Sequence, residues 1–156
     1  MNKLKLMTVL LIVSTSVFAA KDILDFKGFP LGRPVEAFKQ KFPSFQCKST
    51  KDRQIVCDSY RETYAGFDAD IIVVSFVDGK LQGFQVEGSG EDKISKILAA
   101  MKEKYGEPRM EEKRSAYWEL VNGSCRLNFE PQQKFQLMCG AGANLPKNGR
   151  SLKGDV

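Results

Sequence analysis

The chain has 156 residues, of which 42% are hydrophobic and 28% are charged, with a formal net charge of +5 at pH 7. This length and composition suit one globular domain and argue against disorder. The chain contains no histidine, which excludes Ser-His-Asp and Cys-His nucleophilic sites, HExxH zinc sites and proton transfer by histidine. Acidic pairs such as Glu111 and Glu112 lie in charged runs, where solvated carboxylates are the rule. We therefore expect a protein that is not an enzyme and that needs neither a metal nor another cofactor.

The first 19 residues have the form of an export signal. Lys3 and Lys5 precede an apolar run from Leu6 to Val17, and the following Phe18-Ala19 completes a cleavage site. We expect cleavage after Ala19, because the run is shorter than the ~20 apolar residues that a membrane-spanning helix needs. Removing the two lysines from the 24 basic residues leaves 22 against 19 acidic ones, a net charge of +3. The mature protein should be periplasmic or secreted, without insertion into the membrane.

The four cysteines fall in two close pairs, and an oxidising compartment converts such pairs into disulfides. Three connectivities are possible. Spacing favours Cys47–Cys57 and Cys125–Cys139, because each pair brackets a turn-like segment and would close one hairpin. The absence of a CxxC spacing disfavours a redox role.

The first half of the mature chain predicts a short helix and then strands. Pro34 opens the helix, Val35, Phe38 and Phe42 form one apolar stripe, and Pro43 ends it. Strands are expected at residues 45–48, 55–64, 70–77 and 80–87. Asp78-Gly79 between the last two is a strong hairpin signal.

The second half repeats this order. Ser89 to Asp92 resembles a capping box, and the helix that follows keeps an apolar stripe until Gly106. Strands are expected at residues 114–120, 124–129 and 134–139, the first two joined by Asn122-Gly123 as a type I′ turn. Residues 141–156 are expected to form a flexible basic tail, whose three basic residues allow weak contact with anionic envelope polymers.

The order of elements predicts an α+β fold, with a largely antiparallel sheet and two helices packed on one face. Residues 20–140 should form a single domain. Its halves, residues 26–88 and 89–140, echo each other, which leaves an internal duplication open.

Pairing across the predicted turns separates two faces of the sheet. One is apolar and places Trp118 opposite Leu127, so we expect Trp118 in the core. The other is polar with one aromatic residue and places Glu119 opposite Arg126. Residue types enriched at protein interfaces occur on this second face, although an ordinary solvated sheet face is the alternative. The protein-binding candidates are Tyr60, Tyr117, Glu119, Arg126 and Met138.

The central hairpin departs from this pattern. Strict alternation places Ile71, Val73, Phe84 and Val86 on one side and Ile72, Val74, Phe76 and Leu81 on the other. Both sides are then apolar. Either the loop at residues 64–67 or the tail covers the second side, or an exposed apolar strip marks a partner site.

Tandem units of a helix and a disulfide-stapled antiparallel sheet resemble the β-lactamase inhibitory proteins and, more distantly, the small lipoprotein subunit of the outer-membrane β-barrel assembly machinery. The resemblance covers roughly residues 26–140. The chain departs from the lipoprotein because it lacks a cysteine for lipid attachment near the cleavage site. The resemblance implies a domain that binds another protein through its sheet.

Taken together, the residues and this resemblance predict a secreted module of inhibitor or immunity type with a protein partner. An envelope structural or assembly accessory held by its basic tail is the alternative. Export and the mixing of basic with acidic residues disfavour nucleic acid as a partner.

Overall fold

The computed structural model describes residues 23–51, 53–130 and 133–141. The expected signal segment and all but the first residue of the expected tail lie outside the described residues. The helices are α1 (Val35–Lys41) and α2 (Glu91–Tyr105). The strands are β1 (Asp25–Phe26), β2 (Phe29–Pro30), β3 (Gln46–Ser49), β4 (Gln54–Tyr60), β5 (Thr63–Tyr64), β6 (Phe67–Asp68), β7 (Ile71–Val77), β8 (Lys80–Ser89), β9 (Met110–Glu112), β10 (Ser115–Leu120), β11 (Gly123–Glu130) and β12 (Lys134–Gly140).

Eight of the strands form one antiparallel sheet in the order β3-β4-β7-β8-β12-β11-β10-β9. Each half of the chain supplies one helix and then four of these strands. The halves meet where β8 pairs with β12, from Lys134 opposite Ser89 to Gly140 opposite Gly83. The α+β class with a largely antiparallel sheet is therefore confirmed.

Both helices pack on the same face of the sheet. Phe38 of α1 lies 5.2 Å from Phe76 of β7, measured between ring centroids. From α2, Ile97 and Met101 enter the same core, where Trp118 of β10 is 2% exposed. The Trp118 indole N–H donates to the carbonyl of Gly106, just past the end of α2, at 3.0 Å. The predicted core position of Trp118 is confirmed.

The two predicted disulfides are present. Cys47–Cys57 joins β3 to β4, and Cys125–Cys139 joins β11 to β12, each between residues that lie directly opposite each other. Such disulfides fit an extracellular or periplasmic protein. Among the described residues, no helix has both the length and the apolar composition needed to cross a membrane.

One predicted turn is correct and another is wrong. Asp78 and Gly79 have φ values of 50° and 71°, as a type I′ turn requires. In the β10–β11 hairpin, however, the loop is Val121-Asn122, and Gly123 already pairs with Leu120. The register therefore differs by two residues from the prediction.

Asn122 explains this difference, because its side chain binds another part of the chain. Its Oδ1 accepts from the backbone N–H of Leu24 at 2.6 Å, and its Nδ2 donates to the Leu24 carbonyl at 3.2 Å. Gly123 is also constrained by packing, since a Cβ there would lie 2.4 Å from the carbonyl oxygen of Gly140. Trp118 consequently lies opposite Cys125 rather than Leu127.

The start of α2 and the end of β4 also differ from the predictions. Gly90, not Ser89, is the N-cap of α2, and no side chain caps this helix. The Ser89 hydroxyl instead donates to Asp70 at 2.7 Å. β4 ends at Tyr60 and is followed by the small β5–β6 hairpin.

The β1–β2 hairpin was not predicted. It inserts Phe26 and Phe29 into an aromatic cluster with Phe38 and Phe42. Two residues per strand give no periodicity from which a strand could be predicted. The hairpin is held instead by the burial of its phenylalanines and by the Asn122 contact with Leu24.

A β-bulge corrects the predicted faces of the central hairpin. Phe76 lies opposite Leu81 but Ser75 lies opposite Gly83, so Gln82 is the extra residue. Phe84 and Val86 therefore turn to the core face, where they lie opposite Val74 and Ile72. The second face of this hairpin keeps apolar side chains mainly on β7. The loop at residues 64–67 does not cover that face, because it packs on the core side, where Phe67 contacts Phe135.

We predict that Asn122→Ala lowers the free energy of unfolding by about 1–3 kcal/mol, because the backbone groups of the buried Leu24 lose their partners. Urea unfolding measures this change. The matched control is Asn128→Ala on the half-exposed face of β11, expected to stay within about 0.5 kcal/mol of the parent. Equal losses in both variants would contradict the role given to Asn122.

A second prediction concerns alkaline pH. Tyr64 packs against Phe26 and Phe84, and burial raises the pKa of its phenol well above the usual value. A group whose folded-state pKa is raised stabilises the fold below its unfolded-state pKa, near 10 for tyrosine, and this stabilisation is lost as the pH rises further. Melting temperatures should therefore fall above about pH 10. Tyr64→Phe should lessen this fall in melting temperature, whereas Tyr60→Phe, at an exposed position, should leave it unchanged. Identical dependence of the melting temperature on pH in the parent and both variants would contradict the role given to Tyr64.

Candidate functional site

The sheet face opposite the helices is the candidate site, and we call it the open face. Strand alternation places its side chains in rows that cross the whole sheet. Most of them are half-exposed, as expected where no second layer packs on them among the described residues. Its central members are Tyr60, Ile71, Val73, Gln85, Glu87, Met110, Tyr117, Arg126, Asn128, Gln136 and Met138.

Three of the five predicted binding residues lie together on the open face. Tyr117, Arg126 and Met138 occupy directly opposite positions on β10, β11 and β12. The guanidinium carbon of Arg126 lies 6.0 Å from the centroid of the Tyr117 ring, a cation–π distance. Met110 of β9 extends this row and is 46% exposed. The row therefore presents an arginine within cation–π distance of a tyrosine, beside two methionines.

The other two predicted residues lie elsewhere on the face. Glu119 lies opposite Ser124 and forms an ion pair with Arg109, so the predicted pairing of Glu119 with Arg126 is wrong. The cause is the two-residue register difference in the β10–β11 hairpin. Tyr60 is 69% exposed on β4, five strands from β10, which corresponds to about 24 Å.

Met138 has an unexpected environment. It points to the open face and lies outside the hydrophobic core, yet it is only 7% exposed. β12 lies between β8 and β11, and Met138 is flanked by the residues directly opposite it on these strands, Gln85 of β8 and Arg126 of β11. It forms part of the floor of the face rather than a protruding anchor.

A hydrogen-bond network crosses the junction of the two halves. Glu87 of β8 accepts from the side-chain amide of Gln85 at 2.5 Å and from that of Gln136 of β12 at 2.9 Å. These contacts fix three polar side chains at the centre of the open face. A fixed side chain loses less conformational entropy when it binds a partner.

The prediction missed a row of small residues on the open face. Ser75, Gly83, Gly140 and Ser124 lie directly opposite one another on β7, β8, β12 and β11. A cavity of about 530 Å³ opens over Ser75, Gly83 and Gly140 of this row. The available signal was Gly83, a glycine inside a predicted strand, since such a position marks a bulge or a close approach of backbones.

No group of three or more possible metal ligands occurs within the residues described by the structure. Comparison with protein-family models, with curated proteins and with solved structures found no match to this chain.

We predict that Met138→Ala lowers the free energy of unfolding by about 2 kcal/mol, because it removes a buried side chain. Met110→Ala, a truncation of the same residue type at an exposed position of the same row, should change it by less than about 0.5 kcal/mol. Denaturant unfolding distinguishes the two variants. Loss of stability in Met110→Ala but not in Met138→Ala would contradict the burial described for this row.

Proposed function

We propose that the protein is a periplasmic or secreted protein-binding module that acts through its open face, as inhibitor and immunity proteins act on their targets. The observation that carries the proposal is the row of Tyr117, Arg126 and Met138 on a broad sheet face that no other described element covers. Tyrosine, arginine and methionine are enriched at protein interfaces.

The rigidity of the face supports the proposal. The disulfide Cys125–Cys139 joins β11 to β12 next to Arg126 and Met138, and the Glu87 network fixes the centre of the sheet. A preorganised surface binds with a smaller entropic cost than a flexible one. The cation–π contact of Arg126 with Tyr117 similarly restrains the longest side chain of the row.

The disulfides and the expected signal segment support the compartment. Disulfides form and persist in oxidising compartments, and each of the two here closes a short loop and so stabilises the folded state. The resemblance to the β-lactamase inhibitory proteins is the reason for preferring an inhibitor among binding modules.

Site-specific photocrosslinking in an envelope extract tests the proposal. A benzophenone side chain at position 117 should give a discrete crosslinked protein, whereas the same group at Glu103, exposed on α2 behind the sheet, should not. The same products from both positions, or none from position 117, would contradict binding through the open face.

Removal of residues 142–156 separates this proposal from the envelope accessory. The binding module should keep its crosslinked partner after the removal. An accessory held by its basic tail should instead lose its location in the envelope.

Once the partner is identified, we predict that Tyr117→Ala and Arg126→Ala each make the free energy of binding less favourable by about 2 kcal/mol, since tyrosine and arginine often dominate interface energies. Both should keep the unfolding free energy of the parent within about 0.5 kcal/mol, because they are surface positions. Glu103→Ala is the control and should change neither quantity. Calorimetric titration and urea unfolding check the two parts; unchanged affinity in both variants would move the site away from β10 and β11.

A further inference from the structure

The cavity over the small-residue row lies where the two halves of the sheet meet, towards one end of the strands, and is lined by β4, β7, β8 and β12. Its volume of about 530 Å³ is within the range of small-ligand pockets. Gln54, Ser75, Val77, Gln85 and Met138 surround it, above the backbone of Gly83 and Gly140. Met138 belongs both to this lining and to the row of Tyr117 and Arg126, so the cavity is continuous with the proposed interface.

The cavity follows from the close approach of β8 and β12. A Cβ at Gly83 would lie 2.5 Å from the carbonyl oxygen of Cys139, and one at Gly140 would lie 3.1 Å from that of Gln82. Side chains are therefore excluded from the floor by the sheet itself. The bulge at Gln82 widens the space on the same strand.

The chemistry of the lining selects an uncharged guest. None of the described residues that line the cavity is charged, although charged residues make up 28% of the whole chain. A charged group placed there would lose hydration without meeting an ionic partner in the lining itself. The apolar side chains of Val77 and Met138 suit a ring, and a thioether makes favourable contacts with aromatic rings. The carboxamides of Gln54 and Gln85 can donate to and accept from peptide groups at the rim.

We propose that this cavity receives an uncharged aromatic side chain carried on an exposed loop of the protein partner. The inference rests on the proposed function and names the part of the partner that enters the face. The inference predicts that this side chain of the partner is the main anchor of the interface, and that the row of Tyr117 and Arg126 makes the surrounding contacts, as in many interfaces with a dominant residue.

Methyl NMR of the methionines tests this without the partner. Met101 lies in the core, Met110 lies at the edge of the open face and Met138 lines the cavity. N-acetyl-tryptophanamide should shift the Met138 methyl resonance saturably, with a dissociation constant of about 1 mM, and leave the other two unchanged. The corresponding lysine and glutamate amides should bind at least about tenfold more weakly.

A matched pair of variants locates the probe. Ser75→Leu fills the cavity and should weaken the Met138 response at least about tenfold, whereas Ser115→Leu, also half-exposed on the open face but outside the lining, should leave it unchanged. Circular dichroism spectra and melting temperatures establish that both variants are folded.

The proposal is overturned by the absence of a saturable shift at Met138, by equal shifts from the charged amides, or by a response that survives Ser75→Leu. A response to N-acetylglucosamine instead would make the cavity a glycan site. A response that appears only after removal of residues 142–156 would make that segment the occupant. Crosslinking from position 117 is independent of these results, so failure here is distinguishable from failure of the proposed function.

Discussion

The pairing of β8 with β12 is the constraint on which the rest of the structure depends. It joins two helix-and-meander halves into one sheet, through seven opposite residue pairs from Lys134–Ser89 to Gly140–Gly83. Because the halves share a sheet, their apolar faces share one core, and their remaining faces form one continuous surface. Neither four-stranded half alone would present the open face, whose Glu87 network and Met138 lie at this junction.

The same junction explains why the surface is recessed over Gly83 and Gly140. Two strands that approach through glycines leave no side chain between them, and the nearest side chains are the carboxamides and short apolar groups around the cavity. Tyr117 and Tyr60 lie farther out, whereas the charged Glu87 and Arg126 adjoin the lining residues Gln85 and Met138. A recess with an uncharged lining, bordered by charged and aromatic side chains, is consistent with a binding role.

Local signals predicted the parts of this architecture that local chemistry determines. Asp78-Gly79 set one register, and the cysteine pairs set two others, because a disulfide between opposite residues needs one alignment. The Asn122-Gly123 register failed because a contact 98 residues away uses the Asn122 side chain. The bulge at Gln82 and the burial of Met138 also depend on neighbouring strands, so alternation along one strand could not reveal either.

The central claim is that the open face is free in the isolated protein, and β7 tests it most directly. Ile71 and Val73 point to the open face, whereas Ile72 and Val74, which alternate with them along β7, are fully buried. A neutral gadolinium chelate in solution should broaden the methyl resonances of Ile71 and Val73 strongly and those of Ile72 and Val74 weakly. Equal protection of all four residues would mean that a second layer covers the sheet, and it would contradict the account.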